Sequence, residues 1–320
     1  MSSTRTILVT SASGNIGTEL VPLLAKESNT TLVLPTRNAN RLRSSVPAAA
    51  SHNATVEEGD VTDPVWFETI LKRHAVDSVF LCLNSAVGSE LDTTLNLLDA
   101  MARAGTVKQV VYVSICGDFV SPAGVENLYR NCSAGHMLVK IPIESKLKHG
   151  GFAWSTTVLG PSLFFTNDAM SKPAMLERGV FDAPVQRASR VHPRDIALAA
   201  RNVFFAADAT KYAGQKIQIG SKHVFSGDEV AALWSEALGK TVRPWGSGEG
   251  EDLDRHEAEH KDVWGKAFAR DIRLMFESFE AIGFGMSEEE YKVQLEVLGK
   301  EAEDYGKWVK GMGEKWKKGE

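Results

Sequence analysis

Thr6-Ile-Leu-Val-Thr-Ser-Ala-Ser-Gly-Asn-Ile-Gly17 is the stretch on which the fold turns. A β-branched apolar run, Thr6 to Thr10, enters a loop of small residues. The loop passes straight into Asn15 to Lys26, where Ile16, Leu20 and Leu24 recur at helical spacing. Strand, small-residue loop and helix in that order make a cradle for a pyrophosphate. Small side chains let the backbone approach the anion, and the free amides and positive end of the helix stabilise its charge. Ser13, Gly14, Asn15 and Ile16 are the expected amide donors. Ser11 stands where the usual motif has its first glycine, so the tight turn must be made with a Cβ present.

Outward from that loop the same rhythm repeats. Thr31 to Leu34, Ser78 to Leu83, Gln109 to Ser114 and Ser155 to Leu159 are near-continuous apolar runs, with a weaker one at Ala54 to Glu57. Between them lie helical patterns such as Glu90 to Arg103, with Leu91, Leu95, Leu98 and Met101 aligned. Apolar strands alternating with amphipathic helices predict an α/β fold, a doubly wound parallel sheet of the Rossmann type with helices on both faces. The division expected is a cofactor-binding Rossmann domain over 1–160 and a smaller, mostly helical substrate region over 161–320. A strand near 216–220 should return to the sheet. Ser226-Gly-Asp-Glu229 has capping-box spacing for a helix through Leu238, and Ser287-Glu-Glu-Glu290 opens a last helix. Trp264, Phe268, Ile272, Met275 and Phe279 form an apolar stripe, either packing against the Rossmann half or forming part of a lid over a substrate pocket.

The 36 Lys and Arg against 41 Asp and Glu leave a formal charge of −5, which offers no basic field to a phosphate backbone. A small-molecule partner is expected, and no nucleic acid. Cys82, Cys116 and Cys132 lack the paired spacings of zinc sites and read as free thiols, with no metal expected. Met1 to Arg5 runs directly into a strand, and no apolar run reaches the ~18 residues of a membrane span. The expected location is the cytoplasm.

The end of the second strand is where an adenine ribose is read. An acidic residue there would repel a 2′-phosphate; instead Arg37, with Arg41 nearby, offers planar donors that suit one. NADP(H) is therefore expected over NAD(H). Leu83 and Asn84, ending the fourth strand, should line the cofactor trough.

Val9-Thr-Ser-Ala-Ser-Gly-Asn-Ile-Gly17 resembles the Thr-Gly-Ala-Thr-Gly-Asn-x-Gly loop of the NmrA-like branch of the atypical short-chain dehydrogenase/reductases. Thr36-Arg-Asn38, Gly59-Asp-Val61, His136-x-x-x-Lys140-x-x-x-Glu144, Leu159-Gly-Pro-Ser-Leu-Phe-Phe-Thr-Asn167 and Val191-His-Pro-Arg-Asp-Ile-Ala197 follow in the order of that family. The resemblance implies that Asp60 contacts adenine with Val61 packed beside it, though Asp60 also suits a helix cap ahead of Pro64. It implies that Lys140 binds the nicotinamide ribose and polarises a substrate oxygen or relays a proton to it, and that Ser114 hydrogen-bonds substrate or nicotinamide. Phe164, Phe165 and Asn167 would make cofactor-side and substrate-side contacts, and Asp195 would cap a helix start. His136 stands where typical members of the superfamily have the tyrosine of Tyr-x-x-x-Lys. Four residues before Lys140, it shares a helix face with it, as proton donor or as a structural residue. Two functions follow: an NADPH-dependent reductase of a quinone, enone, ketone or related phenolic compound, or an NADP(H)-sensing regulator without turnover.

Overall fold

The computed structural model describes residues 4–83, 90–185, 187–246 and 250–319. Strands β1 (Arg5–Val9), β2 (Thr30–Thr36), β3 (Ala54–Glu58), β4 (Ser78–Leu81), β5 (Gln109–Val113) and β6 (Ser155–Pro161) join a seventh strand, Lys216–Ile219, in one sheet. Among the described residues its order is β3, β2, β1, β4, β5, β6, seventh strand, and every pair is parallel. The order reverses between β1 and β4. Ligands of open α/β sheets bind at such a switch, beyond the strands' carboxyl ends.

Strands buried on both faces need apolar residues at every position. Ile7, Val9, Leu32, Phe80, Val111 and Val113 face one core with helices α1 (Gly17–Leu24) and the later Pro193–Phe204. Leu8, Val33, Val79, Leu81, Val110 and Tyr112 face the other. On that side lie α3 (Pro64–Arg73) and α4 (Glu90–Ala104), whereas α2 (Ala39–Ser45) sends Leu42 into the first core; α5 (Pro122–Asn131), α6 (Gly135–Leu138) and α7 (Lys140–His149) follow in the chain. Each fully buried Leu, Ile, Val or Phe contributes roughly 1.5–3 kcal/mol, so the two apolar layers hold the sheet against chain entropy.

The remaining helices are α8 (Lys172–Arg178), α9 (Pro193–Phe204), α10 (Gly227–Leu238), α11 (Gly250–Trp264), α12 (Lys266–Ile282), α13 (Glu288–Leu298) and α14 (Tyr305–Lys317). Both capping boxes form, with the Ser226 and Ser287 hydroxyls accepting from Glu229 N and Glu290 N. The region expected to be mostly helical also contains three two-stranded ladders: Leu163–Phe164 with Arg190–Val191, Arg187–Ala188 with Phe225–Ser226, and Val180–Phe181 with Arg243–Pro244. The α12 part of the apolar stripe packs inward, Phe279 meeting Phe119, Leu128 and Met137, while Trp264 stacks on His260 of α11. No described helix is long and apolar enough to cross a membrane.

Candidate functional site

The loop between β1 and α1 is shaped by two close approaches. A Cβ on Gly17 would overlap the Ser11 carbonyl oxygen and stand 2.6 Å from the Ala12 carbonyl, so only glycine fits. Ser11 adopts φ +52°, the left-handed region that a first glycine would occupy without strain. Its hydroxyl donates to Cys82 O at 2.8 Å and Thr10 Oγ1 donates to the same carbonyl, tying the end of β1 to the end of β4. The Gly14 amide closes the turn on Ser11 O at 2.8 Å, so this expected donor is already used. The amides of Ser13, Asn15 and Ile16 have no partner among the described residues, and Ile16, the N-cap of α1, adds no side-chain cap. The anion cradle thus has three of its four expected amides to offer.

Beyond β2, Arg37 and Arg41 are exposed, and Arg37 makes no ion pair among the described residues. Asn38 caps α2 by accepting from Arg41 N. Asp60 does not cap the helix. Its Oδ1 accepts from Thr62 N at 2.9 Å; that bond, with Arg37's charge as a smaller help, holds the carboxyl below its ordinary range. The cap ahead of Pro64 belongs to Asp63, which accepts from Val65 N and Trp66 N. Val61 and Leu83 pack half-buried on the α3–α4 core. Asn84 lies outside the described residues.

A row of ionisable side chains crosses the α4–α7 side of the sheet near the carboxyl ends of β4, β5 and β6. Lys140 Nζ is ion-paired with Glu90 Oε1 and lies 3.4 Å from the Tyr112 hydroxyl, which donates to the same Glu90 oxygen at 3.3 Å. One turn along α7, Glu144 Oε1 accepts from Ser114 Oγ and from Lys216 Nζ at 2.7 Å. Burial, then the Glu90 and Glu144 carboxylates, push the Tyr112 phenol far above its ordinary range, so it acts only as a neutral hydrogen-bonding group. Burial also raises the neighbouring Cys82 thiol to about 11.

His136 does not join this row. Pro142 lacks an N–H, and its ring would crowd the Leu138 carbonyl four residues back; the helix expected through His136 and Lys140 divides at Val139 into α6 and α7. His136 Nδ1 pairs with Asp271 Oδ2 of α12, and the same carboxylate accepts from Gly135 N at 2.6 Å. Burial pushes the Asp271 carboxyl up, but the His136 bond and charge outweigh it and hold it below its ordinary value. His136 and Lys140 thus take two separate anchors, one on α12 and one on α4.

The expected substrate contacts separate as well. Phe165 is fully buried, edge-on to His192 and Tyr305, which leaves it no face for a ligand. Phe164 is half-buried against the sheet core, and Asn167 lies half-buried in the turn that follows. In that turn Asp168 anchors the C-terminal helices: Oδ1 accepts from Arg190 Nη1 at 2.7 Å, and Oδ2 accepts from Trp234 Nε1 at 2.9 Å and from the Tyr305 hydroxyl. Arg190 lies 4.7 Å from the Tyr305 ring centre, while its Nε and Nη2 have no partner among the described residues. Asp195 is not the cap of α9; His192 is, its Nδ1 accepting from Arg194 N. Asp195 instead accepts from Glu303 N, fastening the link between α13 and α14.

Glu90, Tyr112 and Lys216 were not singled out from the sequence. Each sits inside an element whose periodicity registers only as helix or strand. Glu144 was visible as the fourth position after Lys140.

The sheet order and phosphate-type loop define a Rossmann-fold α/β protein. Residues 3–244 match the NmrA-like family, and the chain belongs to that family. No curated protein sequence matches it significantly. Among solved structures it is similar to an NADPH-dependent quinone oxidoreductase of Escherichia coli complexed with NADPH, at 22% identity over 96% of this chain and 99% of the other, with a TM-score of 0.75. A triphenylmethane reductase of Citrobacter sp. complexed with NADP(H) gives 17% identity, 95% and 99% coverage and a TM-score of 0.71. NmrA, a negative transcriptional regulator, in complex with NADP, gives 17% identity, 96% and 95% coverage and a TM-score of 0.67.

Proposed function

We propose that this chain is an NADPH-dependent reductase of a small organic acceptor: a quinone, enone, ketone or related phenolic compound. The observation that carries the reading is the placement of the buried ionisable row, Lys140 to Lys216, near the carboxyl ends of β4, β5 and β6, the first of which pairs with β1 beside the phosphate-type loop. The loop fits the pyrophosphate of a dinucleotide: Gly17 lets the loop backbone of Ser11 and Ala12 close tightly on the start of α1, and the Ser13, Asn15 and Ile16 amides are free to donate. Arg37 would hold the 2′-phosphate, which favours NADP(H). When bound, the nicotinamide supplies hydride. Ser114 would orient the acceptor oxygen, and Lys140 would steady the ribose and the charge developing on that oxygen. Residues 161–320 would shape the acceptor pocket. Names of structural relatives include both quinone and dye reductases, which agrees with an aromatic acceptor.

A second reading, an NADP(H)-sensing protein without turnover, is favoured by one specific feature. Lys140 is ion-paired with Glu90, and His136, at the position of the typical tyrosine, is held by Asp271, so neither stands free to donate a proton. The test is NADPH oxidation by purified protein across quinones, enones and aromatic ketones, with products identified by mass and Lys140→Ala run alongside. Turnover that drops at least ~100-fold in the variant supports the reductase. Tight NADPH binding with no product from any acceptor supports the sensor.

A further inference from the structure

The geometry points to Ser114, Glu144 and Lys216 as a proton-delivery chain that runs from the acceptor's oxygen toward solvent and bypasses Lys140. The proposal rests on the reductase reading. Three observations carry it. The chain is continuous, Ser114 Oγ and Lys216 Nζ both meeting the same oxygen of Glu144. It also has an outer end: the Lys216 side chain is 14% exposed against 2% for Glu144, whereas Lys140 and Glu90, at 6% and 3%, form a closed pair. Finally, space has been made for it. A Cβ on Gly160 would stand 2.5 Å from Gln218 Oε1 and 3.0 Å from Lys216 Cε, so the glycine lets both side chains of the seventh strand cross β6. Gln218 then grips the Gly117 peptide at both N and O, holding the segment just beyond Ser114 to the strand that carries Lys216.

The balance is simple. The acceptor carbon gains a hydride, with its electron pair, from the nicotinamide, and the acceptor oxygen gains one proton from Ser114. The Lys216 ammonium passes its proton to the Glu144 carboxylate, the carboxyl so formed passes it to the Ser114 alkoxide, and the neutral Lys216 amine takes a proton from solvent. Ser114 is the catalytic residue here; Glu144 and Lys216 act through it. The groups facing Lys216 are Glu144 from α7, Cys116 and Asp118 from the segment after β5, and the Phe119 ring at 4.3 Å. Burial lowers the Lys216 ammonium below the ordinary lysine range, with Glu144 opposing, which eases proton release.

Lys216→Arg separates relay from scaffold, because arginine keeps the cation and the ion pair yet does not release a proton in proteins. The expected result is a kcat lowered about 100-fold with unchanged NADPH affinity and melting temperature, and loss of the wild-type decline in kcat at high pH. Glu144→Gln should behave alike. A readout free of turnover is the pH dependence of amine acylation in the protein without nucleotide, followed by peptide mass spectrometry. Lys216 should become reactive at lower pH than the exposed Lys148, and at lower pH still in Glu144→Gln. Wild-type kcat and pH profile in Lys216→Arg, or a Lys216 that reacts only together with or above Lys148, overturns the relay alone. A wild type that reduces no acceptor overturns the reductase reading and the relay with it.

Discussion

The carboxyl ends of β1 and β2 and the crossing beneath α10 and α14 treat polar groups in opposite ways. At the first, the Ser13, Asn15 and Ile16 amides have no partner among the described residues and Arg37 stands in solvent. At the second, both oxygens of Asp168 are taken, by Arg190, Trp234 and Tyr305, and every one of these side chains is buried. Donors kept free at a surface cost little and remain available to an anion. Donors and acceptors buried together must satisfy one another, and once they do they fix how the C-terminal helices sit. Binding and architecture are thus assigned to different ends of the chain's polar inventory.

The sharpest way to break the contrast is Asp168→Ala. It would leave the Arg190 guanidinium buried without its counter-charge and free the Trp234 and Tyr305 donors. A loss of about 3–5 kcal/mol is expected, read as a lower denaturation midpoint in urea. An unchanged midpoint would mean that the crossing does not hold the helices. Arg37→Glu probes the other end. With a charge-assisted bond worth roughly 1.5–3 kcal/mol, the NADPH dissociation constant should rise about 10–100-fold while NADH binding and stability stay put. Equal NADPH affinity would remove the 2′-phosphate contact from Arg37.

The smallest effect is expected at Asp271, which is buried and paired with His136. A carboxyl held below its ordinary value stabilises the fold above the unfolded pKa, near 3.9, and that stability is lost as pH falls through the lower folded value. Asp271→Asn should therefore be less stable than wild type at neutral pH. The two denaturation curves should converge as the pH drops below about 4. Parallel curves across that range would show that the pair contributes nothing.

Elements that depend on near neighbours in the chain were legible in the sequence. The six anticipated strands, the returning strand near 216–220 and both capping boxes follow from periodicity and from side chains three residues apart. What could not be read were pairings that only folding brings together: Lys140 with Glu90, His136 with Asp271, and Asp195 with Glu303. One local sign was available: Pro142, two residues into α7, marks the division between α6 and α7, though the backbone stays helical at Val139 and it is Asp271 and Glu90 that draw His136 and Lys140 apart. Phe165 illustrates the opposite limit, since an aromatic residue after a strand looks the same whether it faces a ligand or a core.

The two margins of the sheet are closed differently. β3 is short and carries Glu57 and Glu58, one paired with Arg73 and His74 and the other accepting from Ala39 N, so charge discourages another chain from adding to it. The opposite margin, Lys216–Ile219, is guarded by α13 instead, with Gln294 accepting from Gly220 N just past the strand. Clipping the chain before α13 would bare an apolar strand edge rather than simply shorten the molecule, so the truncated protein should self-associate before it unfolds.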